Sequence, residues 1–274
     1  MLKLKLPPFE NVVASQTAVL PRLPRGNMYD ALVFALGGGN TQANMTAIRL
    51  LVNGKIVWNV TGAHLDTINN YDRLQDTATF LTIPFADFAA DGQVQSQIGS
   101  FDTSSGVEEF GIEVDLGAGV APTLQALGLV SPPSAKGDRF ARAFKSVLKT
   151  VHAPSATGQF NLPVALGSRA GGFLRRSHFF HAGGLMTSLA VKRDGVNLQD
   201  DITLAQLAYM NGLSRRTAQS NMMVFDPLSA GALDDMIPTL RSDGNAANFE
   251  FLATVSNAET ITAYSEIIAT LDRI

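Results

Sequence analysis

A chain of 274 residues, 46 % hydrophobic and only 16 % charged, can bury a sizeable core in one large or two small domains. Its charged fraction is below the ~25 % usual for soluble domains, so either much of the surface is covered by permanent contacts or the loops are neutral, built of Asn, Gln, Ser, Thr and Gly. A net charge of −3 offers no basic field to hold a polyanion, and the lack of Cys excludes disulfides and thiolate metal sites.

The N-terminal stretch MLKLKLPPFENVV alternates Leu and Lys and then meets two prolines. It lacks the apolar core of a signal peptide, and the run Ala31–Leu36 is too short to span a bilayer. The expectation is a soluble protein made and kept in the cytoplasm. Ala31–Leu36 runs into Gly37-Gly38-Gly39. A phosphate loop needs such glycines to open a helix, whereas residues 40–51 lead into another strand, so a β-turn is expected.

Ile48–Val60 reads as a hairpin around Asn53-Gly54, two residues that tolerate positive φ. Ile48, Leu50, Val52, Ile56, Trp58 and Val60 are all apolar. A three-residue loop, Asn53–Lys55, pairs Val52 with Ile56 and Leu50 with Trp58 and keeps this set on one face, so it is the favoured register. Thr61 then caps a short helix that carries Leu65 and Ile68 three apart.

Pro132-Pro133 and Gly137 mark a linker, expected over residues 132–150 between domains at 1–131 and 151–274. Phe140, Phe144, Val147, Leu148 and Val151 recur at helical spacing, and Lys136, Arg139, Arg142, Lys145 and Lys149 fall on the other faces. The pattern predicts a basic amphipathic helix. One reading is a site that faces an anionic surface, lipid or nucleic acid. The other is a connecting helix that packs its aromatic side and solvates the rest.

The second half repeats the order of the first. Thr187–Gln199 is a hairpin around Asp194-Gly195, for which a four-residue loop, Lys192–Gly195, pairs Val191 with Val196 and Leu189 with Leu198. Asp201 or Thr203 caps a helix with Leu204, Leu207 and Ala208 on one face and Gly212 as its stop. Gly54 and Gly195 are 141 residues apart, Pro21 and Pro163 142, Gly38 and Gly184 146, Phe80 and Met222 142, and Phe110 and Phe249 139. Five landmarks in one order imply a duplicated unit of strands, hairpin, helix and further strands. Each unit reads as a β-sandwich or barrel, because short strand-like runs alternate with Gly, Pro, Asn and Asp clusters.

Two such units, each with strand, Asn-Gly or Asp-Gly, strand and short helix (Val52-Asn53-Gly54-Lys55 before Leu65 and Ile68; Arg193-Asp194-Gly195-Val196 before Leu204 and Leu207), joined by Arg142-Ala143-Phe144-Lys145 ahead of Leu162-Pro163, resemble the double jelly-roll major capsid proteins of tailless, membrane-containing icosahedral phages of the corticovirus kind. The likeness spans nearly the whole chain and lies in architecture and order rather than in a specific motif. It implies an all-β fold of two tandem jelly rolls with short helices after a hairpin in each half. It further implies a virion capsid protein that forms homotrimers as pseudo-hexagonal tiles of an icosahedral shell and is assembled in the host cytoplasm. The partners implied are other copies of the chain, penton or minor capsid proteins and an internal viral membrane, with no sequence-specific nucleic acid. No enzymatic residue is carried over. The alternative reading is a secreted double β-sandwich enzyme or binding protein acting on carbohydrate.

No catalytic, cofactor-binding or metal residue is nominated. His178 and His181 are three apart on a strand and so face opposite sides. Asp200-Asp201 and Asp234-Asp235 suit helix capping or solvent better than a calcium site. The residues around Ser168, Gly-Ser-Arg-Ala-Gly, do not make a nucleophile elbow. Asn44-Met45-Thr46 and Asn59-Val60-Thr61 match glycosylation sequons that carry no weight without secretion.

Overall fold

The computed structural model describes residues 2–273 apart from 75, 89, 91–92, 105, 119–120, 133–141, 168–170, 183 and 229–234. The chain divides into two compact units, one of residues 1–70 and 74–147, the other of residues 71–73 and 148–274.

The first unit holds strands β1 (Leu2–Lys5), β2 (Thr17–Leu20), β3 (Met28–Gly37), β4 (Met45–Val52), β5 (Lys55–Val60), β6 (Phe80–Pro84), β7 (Phe101–Asp102), β8 (Phe110–Leu116) and β9 (Thr123–Ser131). Helix α1 (Gly62–Tyr71) follows β5, and α2 (Gln93–Gln97) follows β6. One sheet runs β1-β9-β3-β6, with β7 also on β3; the other runs β2-β8-β4-β5. Along β8 the burial alternates with a period of two, as a strand with one face on a core requires. Ile48, Leu50, Phe34, Tyr29, Phe110 and Ile112 are fully buried, each worth roughly 1.5–3 kcal/mol. Phe101 packs edge-on against Phe110 and Phe144, with ring centres 4.8 and 4.7 Å away.

The second unit repeats this order. Strand β10 (Ala143–His152) crosses the division, its residues 148–152 belonging to the second unit. Then come β11 (Gly158–Asn161), β12 (Phe173–Phe180), β13 (Met186–Arg193), β14 (Val196–Thr203), α3 (Leu204–Leu213), β15 (Met222–Phe225), β16 (Ile237–Pro238), β17 (Phe249–Val255) and β18 (Ile261–Thr270). The sheet orders are β10-β18-β12-β15, with β16 on β12, and β11-β17-β13-β14. Strand for strand these are the orders of the first unit. All five sequence landmarks fall on equivalent elements: Leu20-Pro21 and Leu162-Pro163 just after or at the ends of β2 and β11, Gly38 and Gly184 in turns, Gly54 and Gly195 in hairpins, and the rest at the starts of β6 and β15 and of β8 and β17. Phe179, Phe225 and Phe251 centre the core of this unit.

Three expectations about the hairpins and the linker are corrected. Both hairpin loops have two residues. Val52 faces Lys55 and Arg193 faces Val196, while Asn53, Gly54, Asp194 and Gly195 all have positive φ (49°, 75°, 52° and 80°). Such turns match the twist of the flanking strands, which turns of type I or II would splay. In the first hairpin a bulge between Leu50 and Leu51 then restores the expected pair Leu50–Trp58, leaving Ile56 exposed. In the second, Val191 meets Gln199 and Leu189 meets Ile202, and Val196 and Leu198 face solvent. The third correction concerns the linker. Residues 143–152 form a strand, not the basic helix expected there, and residues 133–141 lie outside the described residues. Of the periodic apolar residues, Phe144 and Val147 lie on a strand that is buried on both faces from Ala143 to Val147, Lys145 included, while Leu148 is half-buried and Val151 exposed.

The helices agree with expectation at their starts. The Thr61 hydroxyl accepts from the His64 N–H at 3.2 Å. Thr203 caps α3 in a reciprocal box with Gln206, but α3 runs through Gly212 to Leu213.

Candidate assembly surface

The residues with the strongest chemistry lie inside the second unit. The Tyr71 hydroxyl donates to Asp226 at 3.0 Å. Asp72 accepts from Arg176 and Arg216, both at 2.7 Å, and Arg176 also meets Asp226 at 2.9 Å. Burial, and then the Asp226 charge, push the Tyr71 hydroxyl well above its usual range. On the same sheet Glu266 pairs with Arg175 and with His178 Nε2, the latter at 3.1 Å. Each buried charge thus faces an opposite one, which is the arrangement of a structural network. The sequence contains the members but not the network, since Asp72 and Asp226 are 154 positions apart.

His178 is in this network and His181 is buried at the end of β12, desolvation holding its pKa below the usual imidazole value. The pair does not converge. Asp200 and Asp201 are exposed on β14, where Asp200 accepts from the Asn197 amide at 2.8 Å. Asp235 is exposed, while Asp234 and Ser168 lie outside the described residues. Gly37-Gly38-Gly39 ends β3 in a turn, and a Cβ on Gly38 would lie 2.0 Å from the Ala121 carbonyl oxygen. Among the described residues no group of His, Asp or Glu is set to hold a metal, and no helix is long and apolar enough to cross a membrane.

The second unit also exposes a group of apolar side chains. Helix α1 buries Leu65, Ile68 and Asn69, whereas α3 buries only Leu207 and Asn211. Tyr209 is 72 % exposed, Leu213 70 % and Met210 49 %, and at the hairpin end of β14 Val196 is 65 % exposed. A groove of about 580 Å³ runs between β14 and α3, lined by Ile202, Ala205, Tyr209 and Met210 with Asp200 and Asp201. Exposed apolar side chains gathered on one element, beside a strand that ends its sheet, mark a surface for protein contact. Leu204, Leu207 and Ala208 were the residues legible at helical spacing; Tyr209, Met210 and Leu213, which carry the surface, fall outside that stripe.

Among the described residues each unit has eight principal strands in two four-stranded layers of the same interleaved order, which is a jelly roll. Two in one chain are the architecture of double jelly-roll capsid proteins. Models of the viral coat protein P2 N-terminal and C-terminal domains match residues 3–131 and 144–271 respectively. The chain belongs to the viral coat protein P2 family and is a capsid protein with a structural role. Among solved structures it is similar to the major capsid protein P2 from bacteriophage PM2, with a TM-score of 0.85, 16 % identity and coverage of 98 % of this chain and 97 % of that one. It is also similar to a protein in the atomic structure of Sulfolobus turreted icosahedral virus, with a TM-score of 0.73, 10 % identity and coverage of 98 % and 91 %. A third is in the PBCV-1 virus capsid, with a TM-score of 0.58, 9 % identity and coverage of 97 % and 92 %. A search of the curated proteins found no match. Neither the family models nor the solved structures support the carbohydrate-directed alternative.

Proposed function

We propose that this coat protein is the major capsid protein of its virion, that it assembles as a homotrimer, and that the trimer is a pseudo-hexagonal tile of an icosahedral shell. The observation that carries the proposal is the duplication: two rolls of one strand order in one chain. Three such chains in a closed ring present six similar rolls, an approximate hexagon from a three-fold object. The low charge of the chain and the apolar surface on α3 are what permanent contacts between copies require.

The domains in this reading are residues 1–131 and 151–274, with the connecting segment contributing the strand from Ala143. Other copies of the chain are the main partners. Penton or minor capsid proteins close the shell where a hexagonal tile does not fit, and assembly takes place in the host cytoplasm. The protein has no catalytic task and needs no cofactor. An internal membrane remains a partner by resemblance, although Lys145, part of the basic pattern first read as facing it, is buried over the Trp58 ring. Electron microscopy of assembled particles tests the proposal. Six-lobed tiles, each with the mass of three chains, are expected; tiles built of any other number of chains would overturn it.

A further inference from the structure

The two jelly rolls treat one equivalent edge differently. In the first unit the outer edge of β5 is covered by residues Ala143–Val147 of β10. Val147 stands opposite Trp58 in a parallel bridge, and the Trp58 indole N–H donates to the Lys145 carbonyl at 2.7 Å. The Lys145 ammonium lies 5.2 Å from the centre of the Trp58 ring. All five covering residues are buried. The counterpart of β5 in the second roll is β14, and the pairs Leu50–Trp58 and Val191–Gln199 occupy the same place in the two hairpins. Yet among the described residues β14 ends its sheet, beside the groove that it forms with α3.

The counterpart of the covering strand β10 is β1. Each is the first strand of its roll, and each neighbours the last strand of that roll, β9 or β18. Among the described residues β1 also ends its sheet. It presents Leu2, 60 % exposed, with Lys3 and Lys5 exposed beside it.

Resting on the trimer reading, we infer that β1 of a second copy of this chain covers β14 and α3, as β10 covers β5. The two edges satisfy each other's backbone groups, as free strand edges do when they meet. Leu2 reaches the apolar floor formed by Ile202, Tyr209 and Met210, and Lys3 and Lys5 approach the rim that carries Asp200 and Asp201. Basic strand and acidic rim fix which surface meets which. The contact is head-to-tail: a copy that receives β1 on its β14 still offers its own β1 to the next, and the series ends when the ring closes.

The chain has no Cys, so introduced thiols report only on their own positions. The full-length variant Leu2→Cys/Met210→Cys, oxidised mildly and run without reductant, is expected to give covalent dimers and trimers, whereas either single variant is not. A second pair, Lys3→Cys/Asp201→Cys, which joins the strand to the rim, repeats the measurement if the first fails to fold. Sedimentation of the same samples separates the two levels of the claim. Trimers without an interchain bond in either pair, or with a bond only within one chain, overturn the docking and leave the trimer standing. Monomers without a bond overturn both.

Discussion

Arg176 is fully buried in the second unit and shares Asp72 and Asp226 with Arg216. Burying charge is costly, and the cost is met only while each charge keeps its partner. Asp226→Ala removes one shared carboxylate and the acceptor of the Tyr71 hydroxyl. It is expected to lower stability by about 3–5 kcal/mol, read as the shift of a chemical denaturation midpoint. A loss below about 1 kcal/mol would mean that the arginines find other acceptors. Arg49 makes a contrasting, partly exposed cluster on the first unit, with Asp115 at 2.6 Å and Glu113 at 3.0 Å. Hydrogen bonding from Arg49 holds the Asp115 carboxyl below its usual range. A depressed carboxyl contributes stability above its unfolded pKa of about 3.9, and the contribution is lost as pH falls through the lower folded value. Arg49→Ala is therefore expected to cost about 1 kcal/mol at pH 7 and progressively less below about pH 4. Urea melts at neutral and acid pH check this; an equal cost at both would assign Arg49 to packing instead of charge.

At the scale of elements, the turns are the parts most plainly written in the sequence. Asn53-Gly54 and Asp194-Gly195 specify hairpins because few other residues accept positive φ at both positions. The turn residues also tie each hairpin to a neighbouring strand: Asn53 Oδ1 accepts from the Glu109 N–H at 3.0 Å, and Asp194 Oδ1 from the Asn248 N–H at 2.9 Å. A Cβ on Gly54 would meet nothing within 4 Å, so only its φ of 75° opposes a side chain. Gly54→Val is expected to cost ~1–3 kcal/mol through backbone strain alone, with the fold unchanged by circular dichroism. An unaltered thermal midpoint would contradict that conformation. The register beyond the turns was not legible. Periodicity alone favoured a longer loop, because a bulge at Leu50–Leu51 achieves the same facing of Trp58 and leaves no mark in composition. The strand at Ala143–His152 is hidden in the sequence for a related reason. Buried on both faces at its start, it lacks the alternation that distinguishes a strand from a helix.

Across the whole chain, the duplication was the most legible property, since it depends on the order of many weak landmarks and not on any one contact. The candidate surface was the least legible. Tyr209, Met210 and Leu213 read as ordinary apolar residues of a short helix, and only the structure shows that α3 turns them outward while α1 turns its apolar residues inward. The same sheet order in both units, with an edge covered in one and open in the other, gives the chain a reason to bind its own kind. The open edge carries the outward face of α3, and interfaces that are permanent commonly bury on the order of 2,000 Å² or more. Sedimentation velocity of the purified protein at micromolar concentration and moderate salt tests the central claim most directly. The account predicts a single species with the mass of three chains; a monomer that forms nothing larger on concentration would contradict it.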